Sequence, residues 1–262
     1  MVSINQIEAI GSVLRIYQTG DRPVIILCAD GYHYICKYKV PGISSYKLFY
    51  EFLGTVFAHS WGISVPPSAF IKNNTSIWIG EGGSLSHDPV APLFGSRRLE
   101  SVFDLSEFTA ESIMRSNLSL SQLLTISLFD IWLANEDRTC NNYNLLYNLA
   151  SDTIVSIDYG GIFNSNVLDR PLFGLNVSDS ILSSSLFNLL RDYDLSLAIS
   201  SLHNSFDKHV NSCFFSVTHL INSIPAEWGI DTVAVHKKLD ELFDKNWINS
   251  CWTTLLHIIN NV

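Results

Sequence analysis

NEDRTCNNYNLLYNLASDTIVSIDYGG, Asn135–Gly161, carries Asp137, then Asn142 five residues later, an apolar run, a turn, a second apolar run and Asp158. Tyr143–Tyr147 and Thr153–Ile157 each mix apolar residues with Asn, Ser or Thr and read as short strands. Asn148–Asp152 between them is rich in turn formers, which makes the pair a hairpin. A hairpin returns the chain to its starting point, so Asp158 is expected close to Asp137 and Asn142. Two carboxylates and an amide oxygen meeting there form a hard, oxygen-only site. Such ligands suit Mg²⁺, which is held by one or two carboxylates together with substrate phosphates.

The same order of parts occurs in kinase-type phosphoryl transfer. There an Asp receives the proton of the attacking hydroxyl, an Asn five residues on helps hold metal, and an Asp before a Gly holds metal. Asp158-Tyr159-Gly160 supplies that last element. The plainer reading of each residue alone is a turn former, since Asp and Asn favour caps and loops. The hairpin and the Asp-x-Gly ending together favour the metal site.

Working outward, 262 residues suffice for one large domain or two lobes, and a composition 47% hydrophobic and 12% aromatic is that of a folded chain. Mean hydropathy is positive, +0.20. No apolar run reaches the ~18–20 residues that a membrane-crossing helix needs. The first residues show no basic region leading into an apolar block, so no secretory signal is expected. Five scattered cysteines without a Cys-x-x-Cys pair read as reduced thiols in a cytoplasmic protein. A formal net charge of −9 with only 16 Lys and Arg excludes a binder of nucleic-acid backbone.

Upstream, Val24–Cys28 and Tyr32–Tyr38 are apolar and aromatic runs joined by Ala29-Asp30-Gly31, a hairpin signature. Val13–Tyr17 reads as a strand before them, and Gln18–Pro23, with Gly20, is either a phosphate-covering loop or an ordinary β-turn. Strand alternation puts Lys37 and Lys39 on one face, and Lys37, flanked by apolar residues, is preferred as the partner of nucleotide phosphates. A helix is expected over Ser44–Ser60, capped by Ser44 or Ser45, with Glu51 off the apolar stripe and placed to pair with the strand lysine. Ser68–Ile71 and Ser76–Ile79 read as a strand pair, Gly80–Gly83 as a hinge and Ser84–Arg98 as an irregular linking loop.

From about Ser101 the pattern turns helical. Leu118–Ala134 is apolar over most of its circumference and delivers the chain straight into Asn135–Arg138, as a buried helix behind a catalytic loop should. Tyr159–Pro171 is expected to be an ordered loop shaping the acceptor site. Ser180–Leu202, Phe206–Ile221 and Thr232–Ile259 read as helices. The expectation is thus an α+β, bilobal fold of protein-kinase type: a β-rich lobe with one helix over 1–83 and a mainly helical lobe over 84–262.

The segment NEDRTCNNYNLL…SIDYG resembles the catalytic core of HipA-like kinases, a branch of the protein-kinase-like superfamily near the phosphatidylinositol 3/4-kinases. YHYICKYK before the helix with Glu51, WGISVPP, FGS at Phe94–Ser96 and IPAEWG at Ile224–Gly229 support the resemblance. It implies Asp137 as catalytic base, Asn142 and Asp158 as magnesium ligands, Lys37 on the ATP phosphates and Arg138 ordering the catalytic loop. The His that follows Asp-Arg in lipid kinases is Thr139 here. Full-length HipA toxins carry a further N-terminal subdomain that this chain is expected to lack, so an antitoxin-like partner does not follow.

An ATP- and Mg²⁺-dependent Ser/Thr protein kinase is the leading expectation. A small-molecule kinase of the aminoglycoside or choline type is the alternative, although Asn135-Glu136 replaces the His-Gly usual before its catalytic Asp. A nucleotide-binding pseudokinase is the non-enzymatic alternative. No basic surface or amphipathic insertion points to a membrane. The acceptor, protein or small molecule, is not encoded in any general residue pattern.

Overall fold

The computed structural model describes residues 4–78, 85–106, 117–166 and 168–262. Its first half is built on a six-stranded sheet of order β1-β5-β6-β4-β3-β2: β1 Asn5–Glu8, β2 Arg15–Ile16, β3 Val24–Leu27, β4 His33–Lys37, β5 Ser68–Lys72 and β6 Leu93–Arg97. Only the β1–β5 pair is parallel. The Ala29-Asp30-Gly31 turn joins β3 to β4, with Gly31 at φ 82 and Asp30 accepting a hydrogen bond from Tyr34 Oη at 2.8 Å. A left-handed φ without a Cβ penalty is what glycine contributes there. The strand expected over Val13–Tyr17 shrinks to Arg15–Ile16.

Two expectations between residues 68 and 98 are corrected. Residues 75–78 form a 3-10 turn instead of a strand. The Asn73-Asn74 pair is the physical reason: Asn74 Oδ1 accepts from the Ile77 amide at 3.2 Å, and Asn73 Oδ1 accepts from Trp78 Nε1 at 2.8 Å. Local side-chain bonds of this kind compete with a strand ladder. The partner of β5 is instead β6, in the segment expected to be irregular. Pro92 and Gly95 are loop formers by type, but a Cβ at Gly95 would lie 2.8 Å from Ile71 and 3.1 Å from Cys36 Sγ. That glycine lets neighbouring strands close up, a known reason for glycine in a sheet. The sheet therefore draws a strand from beyond residue 83. The expected hinge, Gly80–Gly83, lies outside the described residues.

Helix α1, Tyr46–Ser60, crosses beneath the sheet with Leu48 to Ala58 continuously buried. Neither serine caps it as expected in full: Ser44 Oγ accepts from the Tyr46 amide at 3.3 Å, whereas Ser45, at the cap position, makes no side-chain cap bond. Helix α2, Asn117–Leu133, is the axis of the second half, and its Leu120, Leu123, Leu124, Leu128, Ile131 and Trp132 are all buried. A three-stranded sheet, β7 Val102–Asp104, β8 Leu145–Asn148 and β9 Thr153–Ser156, packs beside it. After it come α3 (Ile162–Asn166), a single turn whose Phe163, Asn164 and Ser165 are left-handed, and the helices α4 (Ser185–Leu190), α5 (Leu195–Asn222), α6 (Thr232–Leu242) and α7 (Lys245–Asn261).

These last helices break where acids supply new caps rather than where apolar periodicity ended. Asp194 caps α5 through the Leu197 amide, which splits the expected Ser180–Leu202 helix. Asp244 caps α7 through the amides of Asn246 and Trp247, which splits Thr232–Ile259. One large apolar cluster runs from α1 through α2 to α7, so the two halves share a core. Trp132 Nε1 donates to Leu242 O at 3.0 Å, and Trp247 Nε1 donates to Trp132 O at 2.9 Å, which ties α2 to the C-terminal helices. Trp228, of the IPAEWG segment, donates to Pro92 O at 2.8 Å and packs on Phe70 of β5. Among the described residues no helix is long and apolar enough to cross a membrane.

Candidate active site

The loop after α2 is organised by a buried cation. Arg138 is fully buried; its Nε donates to Asp130 Oδ2 at 2.8 Å, Nη1 to the carbonyls of Tyr143 and Asn144, and Nη2 to Ile157 O at 3.1 Å. Asp130, from the last turn of α2, also accepts from Asn135 Nδ2 at 2.8 Å. One guanidinium thus joins the helix, the loop that follows it and both ends of the hairpin. Arg is suited to this because its planar fork presents five donors at once. Burial raises the Asp130 carboxyl above its ordinary range, with Arg138 and Asn135 pulling the other way.

On that platform Asp137 is held by side-chain amides. Asn142 Nδ2 donates to Asp137 Oδ1 and to its carbonyl, both at 3.0 Å, and Asn144 Nδ2 donates to Oδ2 at 3.2 Å. The hairpin forms as expected, with strands at 145–148 and 153–156, and returns the chain to Asp158. Asp158 sits at φ 58, a left-handed conformation that Asp tolerates better than most residues. Two glycines follow because there is no room for side chains. A Cβ at Gly160 would lie 2.9 Å from Glu51 Oε1, and one at Gly161 would lie 2.5 Å from the Asp137 Cβ.

From the other side, β4 and α1 bring Lys37 and Glu51. Lys37 Nζ lies 2.6 Å from Glu51 Oε1, 2.9 Å from Asp158 Oδ1 and 3.4 Å from Asp21 Oδ2. Glu51 Oε2 accepts from the Tyr159 amide at 3.1 Å, so α1 is bonded directly to the segment that follows Asp158. Burial alone would lower Lys37, but the charges of Glu51 and Asp158 outweigh it and hold the ammonium well above its ordinary range. Burial opposes the charge on Asp158 as well, yet Lys37 and its hydrogen bonds hold that carboxyl well below the usual range. Glu51 moves the opposite way, pushed up to about 8 by burial, with Lys37 lowering and Asp158 raising it. Glu51 is the more buried of the two carboxylates that share the one ammonium, and burial is what moves it upward.

Lys37, Asp137, Asp158, Gly160 and Gly161 line one cleft of about 410 Å³, with Thr19, Gly20, Asp21 and Pro23 of the β2–β3 loop and with Lys47, Glu136 and Ser165. The structure therefore gathers Lys37, Glu51, Asp137 and Asp158 and anchors Asn142 to Asp137, although Asn142 is not among the residues lining the cleft. Arg138 lies beneath it. Lys39 is spent elsewhere, on Glu227 O at 2.7 Å and Asp88 at 3.3 Å. Lys47 has no counterpart among the expected site residues, and Asp21, Glu136 and Asn144 lay in segments singled out above without a role of their own. Asn144 stood in the Asn-x-Asn-Leu run, and Asp130 was visible as the lone acid in an apolar helix.

The donor set fits a magnesium ion that arrives with phosphates. Asp158, with its side chain 37% exposed, offers carboxylate oxygen to the cleft. Among the described residues no cluster of three or more His, Cys, Asp or Glu is built to hold a metal by itself. A partial, oxygen-only shell is the arrangement Mg²⁺ takes when nucleotide phosphates and water complete its octahedron.

Comparison with known proteins bears on the family and the fold. Residues 10–253 match the HipA-like kinase family. Of solved structures, the proinflammatory kinase CtkA of Helicobacter pylori superposes with a TM-score of 0.56 at 10% identity, over 96% of this chain and 99% of that one. This likeness places the chain in the kinase-like fold, with its β-rich first half and helical second half. A Golgi casein kinase aligns over 98% of this chain and 72% of its own at 10% identity, with a TM-score of 0.46, too low to bear on the fold. No curated protein sequence matches.

Proposed function

The chain belongs to the HipA-like kinase family, phosphotransferases that use ATP, and from that premise we propose that it is a Mg²⁺-dependent kinase of protein Ser or Thr hydroxyls. The observation that carries this reading is the convergence of Asp137, Asp158 and Lys37 on one cleft from three separate parts of the chain. Asp137, its two oxygens fixed by Asn142 and Asn144, orients the acceptor hydroxyl and receives its proton. Lys37 exchanges Asp158 for nucleotide phosphates and neutralises charge spread over the transferring group. Glu51 keeps the Lys37 stem in place during that exchange. Asp158, with Asn142 behind Asp137, would hold magnesium, which when bound would neutralise phosphate charge. Arg138 orders the loop without touching substrate.

A protein acceptor is favoured over a small molecule because the residue two before Asp137 is committed to structure. Asn135 is buried on Asp130, where aminoglycoside- and choline-type kinases carry a His. The unpaired cysteines support a cytoplasmic setting. Neither nucleic acid nor an antitoxin-like partner is needed by this reading.

The test is a thermal-shift titration paired with turnover. Mg²⁺·ATP is expected to raise the melting temperature, because a ligand that binds only the native state stabilises it. Asp137→Asn should keep that shift and lose ADP release, while Asp158→Asn should lose both. No shift in the parent chain, or Asp158→Asn behaving like the parent, would sink the kinase reading. A shift without any turnover would make the chain a pseudokinase.

A further inference from the structure

Helix α1 starts on a serine that does not cap it. Ser45 stands at the capping position with φ −85 and ψ 7, not the extended backbone of a capping serine, and its side chain makes no cap bond. Ser44 takes only the Tyr46 amide. The first amides of a helix have no acceptor within it, and the helix dipole adds partial positive charge there. Ser45 is also just 5% exposed, and its Oγ is one of two buried side-chain polar atoms among the described residues without a hydrogen-bond partner. A buried hydroxyl left unpaired calls for an explanation.

A second cavity supplies one. Ser44 and Ser45 line a space of about 290 Å³ that adjoins the cleft, and the two share Gly20, Asp21, Lys37 and Lys47. Arg22 and Lys39 line it too. Lys37 is engaged by Glu51 and Asp158, and Lys39 by Glu227 O and Asp88. The other two cations are less committed. Arg22 forms no ion pair among the described residues, and Lys47 has Asp21 alone, at 2.7 Å. Asp21 itself has a second cation, Lys37, at 3.4 Å. The lining also includes apolar Ile43, 64% exposed.

We propose that this cavity is an anion site separate from the nucleotide cleft and that it takes a phosphate monoester. Helix N-termini of this kind bind anions through their free amides. Here the Ser45 hydroxyl adds a neutral donor, Lys47 and Arg22 add charge, and Ile43 offers a surface to the organic part of the ester. A carboxylate would present two oxygens and one charge. A phosphate monoester presents three oxygens and nearly two charges, which matches two cations and several converging donors. When the ester takes Lys47, Asp21 keeps Lys37, so no charged group is left without a partner. The inference does not depend on the kinase reading.

The test is calorimetric titration of the full chain with inorganic phosphate and with phenyl phosphate, at fixed ionic strength, with and without saturating Mg²⁺·ADP. Both probes are expected to bind, phenyl phosphate the tighter, and to go on binding when ADP is present. Ser45→Ala should weaken both roughly tenfold, as loss of a hydrogen bond to a charged group does. It should not lower the melting temperature, because that hydroxyl has no partner to lose. Arg22→Gly should weaken them as well, and glycine accepts the left-handed φ of 46 that Arg22 holds. No binding of either probe, binding that ADP abolishes, or affinities unchanged in both variants would each overturn the inference. Phenyl phosphate binding no tighter than inorganic phosphate overturns the monoester assignment. A chain that binds no ADP is still judged by the two variants, so that failure touches the kinase reading alone.

Discussion

Two cations organise the site in opposite ways. Arg138 is fully buried, and each of its partners is fixed: one carboxylate and three backbone carbonyls. Lys37 faces a cleft and is shared among Glu51, Asp158 and Asp21. The first set of bonds is buried and runs to the backbone and one carboxylate, none of which has to move during a reaction. The second is over-supplied with negative charge, so Lys37 can part from one carboxylate and keep another. Geometry is stored in the first cluster, and the second has partners to spare.

The largest expected effect comes from breaking the satisfied side. Arg138→Ala would leave Asp130 buried without its cation and three carbonyls without donors. Truncating one partner of a buried pair costs about 3–5 kcal/mol, so the urea midpoint should fall steeply. A midpoint close to the parent's would mean that the cluster does not hold the loop.

A smaller stability change with a large functional one is expected at the contact between the two sides. Gly161→Ala places a Cβ 2.5 Å from that of Asp137 and 3.3 Å from Asn135 Oδ1. Overpacking costs roughly 1–3 kcal/mol, but displacing a reacting group by about 1 Å costs on the order of 10²-fold in rate. Turnover should therefore drop far more than the melting temperature. Equal, small losses in both would show that Asp137 has room to move.

The subtlest difference concerns pH. Glu51, raised from 4.5 to about 8, binds a proton in the folded chain that the unfolded chain has released, so its contribution is complete below 4.5 and lost as pH rises through about 8. Asp158, held below its ordinary 3.8, contributes above that value and loses its contribution on acidification. Stability is expected to decline from pH 4.5 to 8, and Glu51→Gln should flatten that slope. A slope unchanged in the variant would place the proton on another group.

Much of this was legible because it depends on neighbours in sequence. Asp137, Asn142 and Asp158 fall on one hairpin whose turn residues and strand runs are local, and Glu51 is the one acid in the buried run Leu48–Ala58 of α1. The Asp30-Gly31 turn and the apolar α2 were legible for the same reason. The misread elements depended on packing partners far along the chain. Gly95 looked like a loop residue until the strands pressing on it were known, and Asp194 and Asp244 became caps only where the tertiary packing ended a helix.

By itself, then, the sequence determined the residue types of the site, their order and the hairpin that closes it, since these follow from local turn chemistry and period-two or helical patterning. The tertiary structure alone decided which lysine enters the cleft, that Asp21 shares it, that Arg138 is buried at the centre of the loop and that Arg22 and Ser45 line one cavity. Each of those is a meeting of groups far apart in the chain, and charge and burial at such a meeting depend on everything else packed around it.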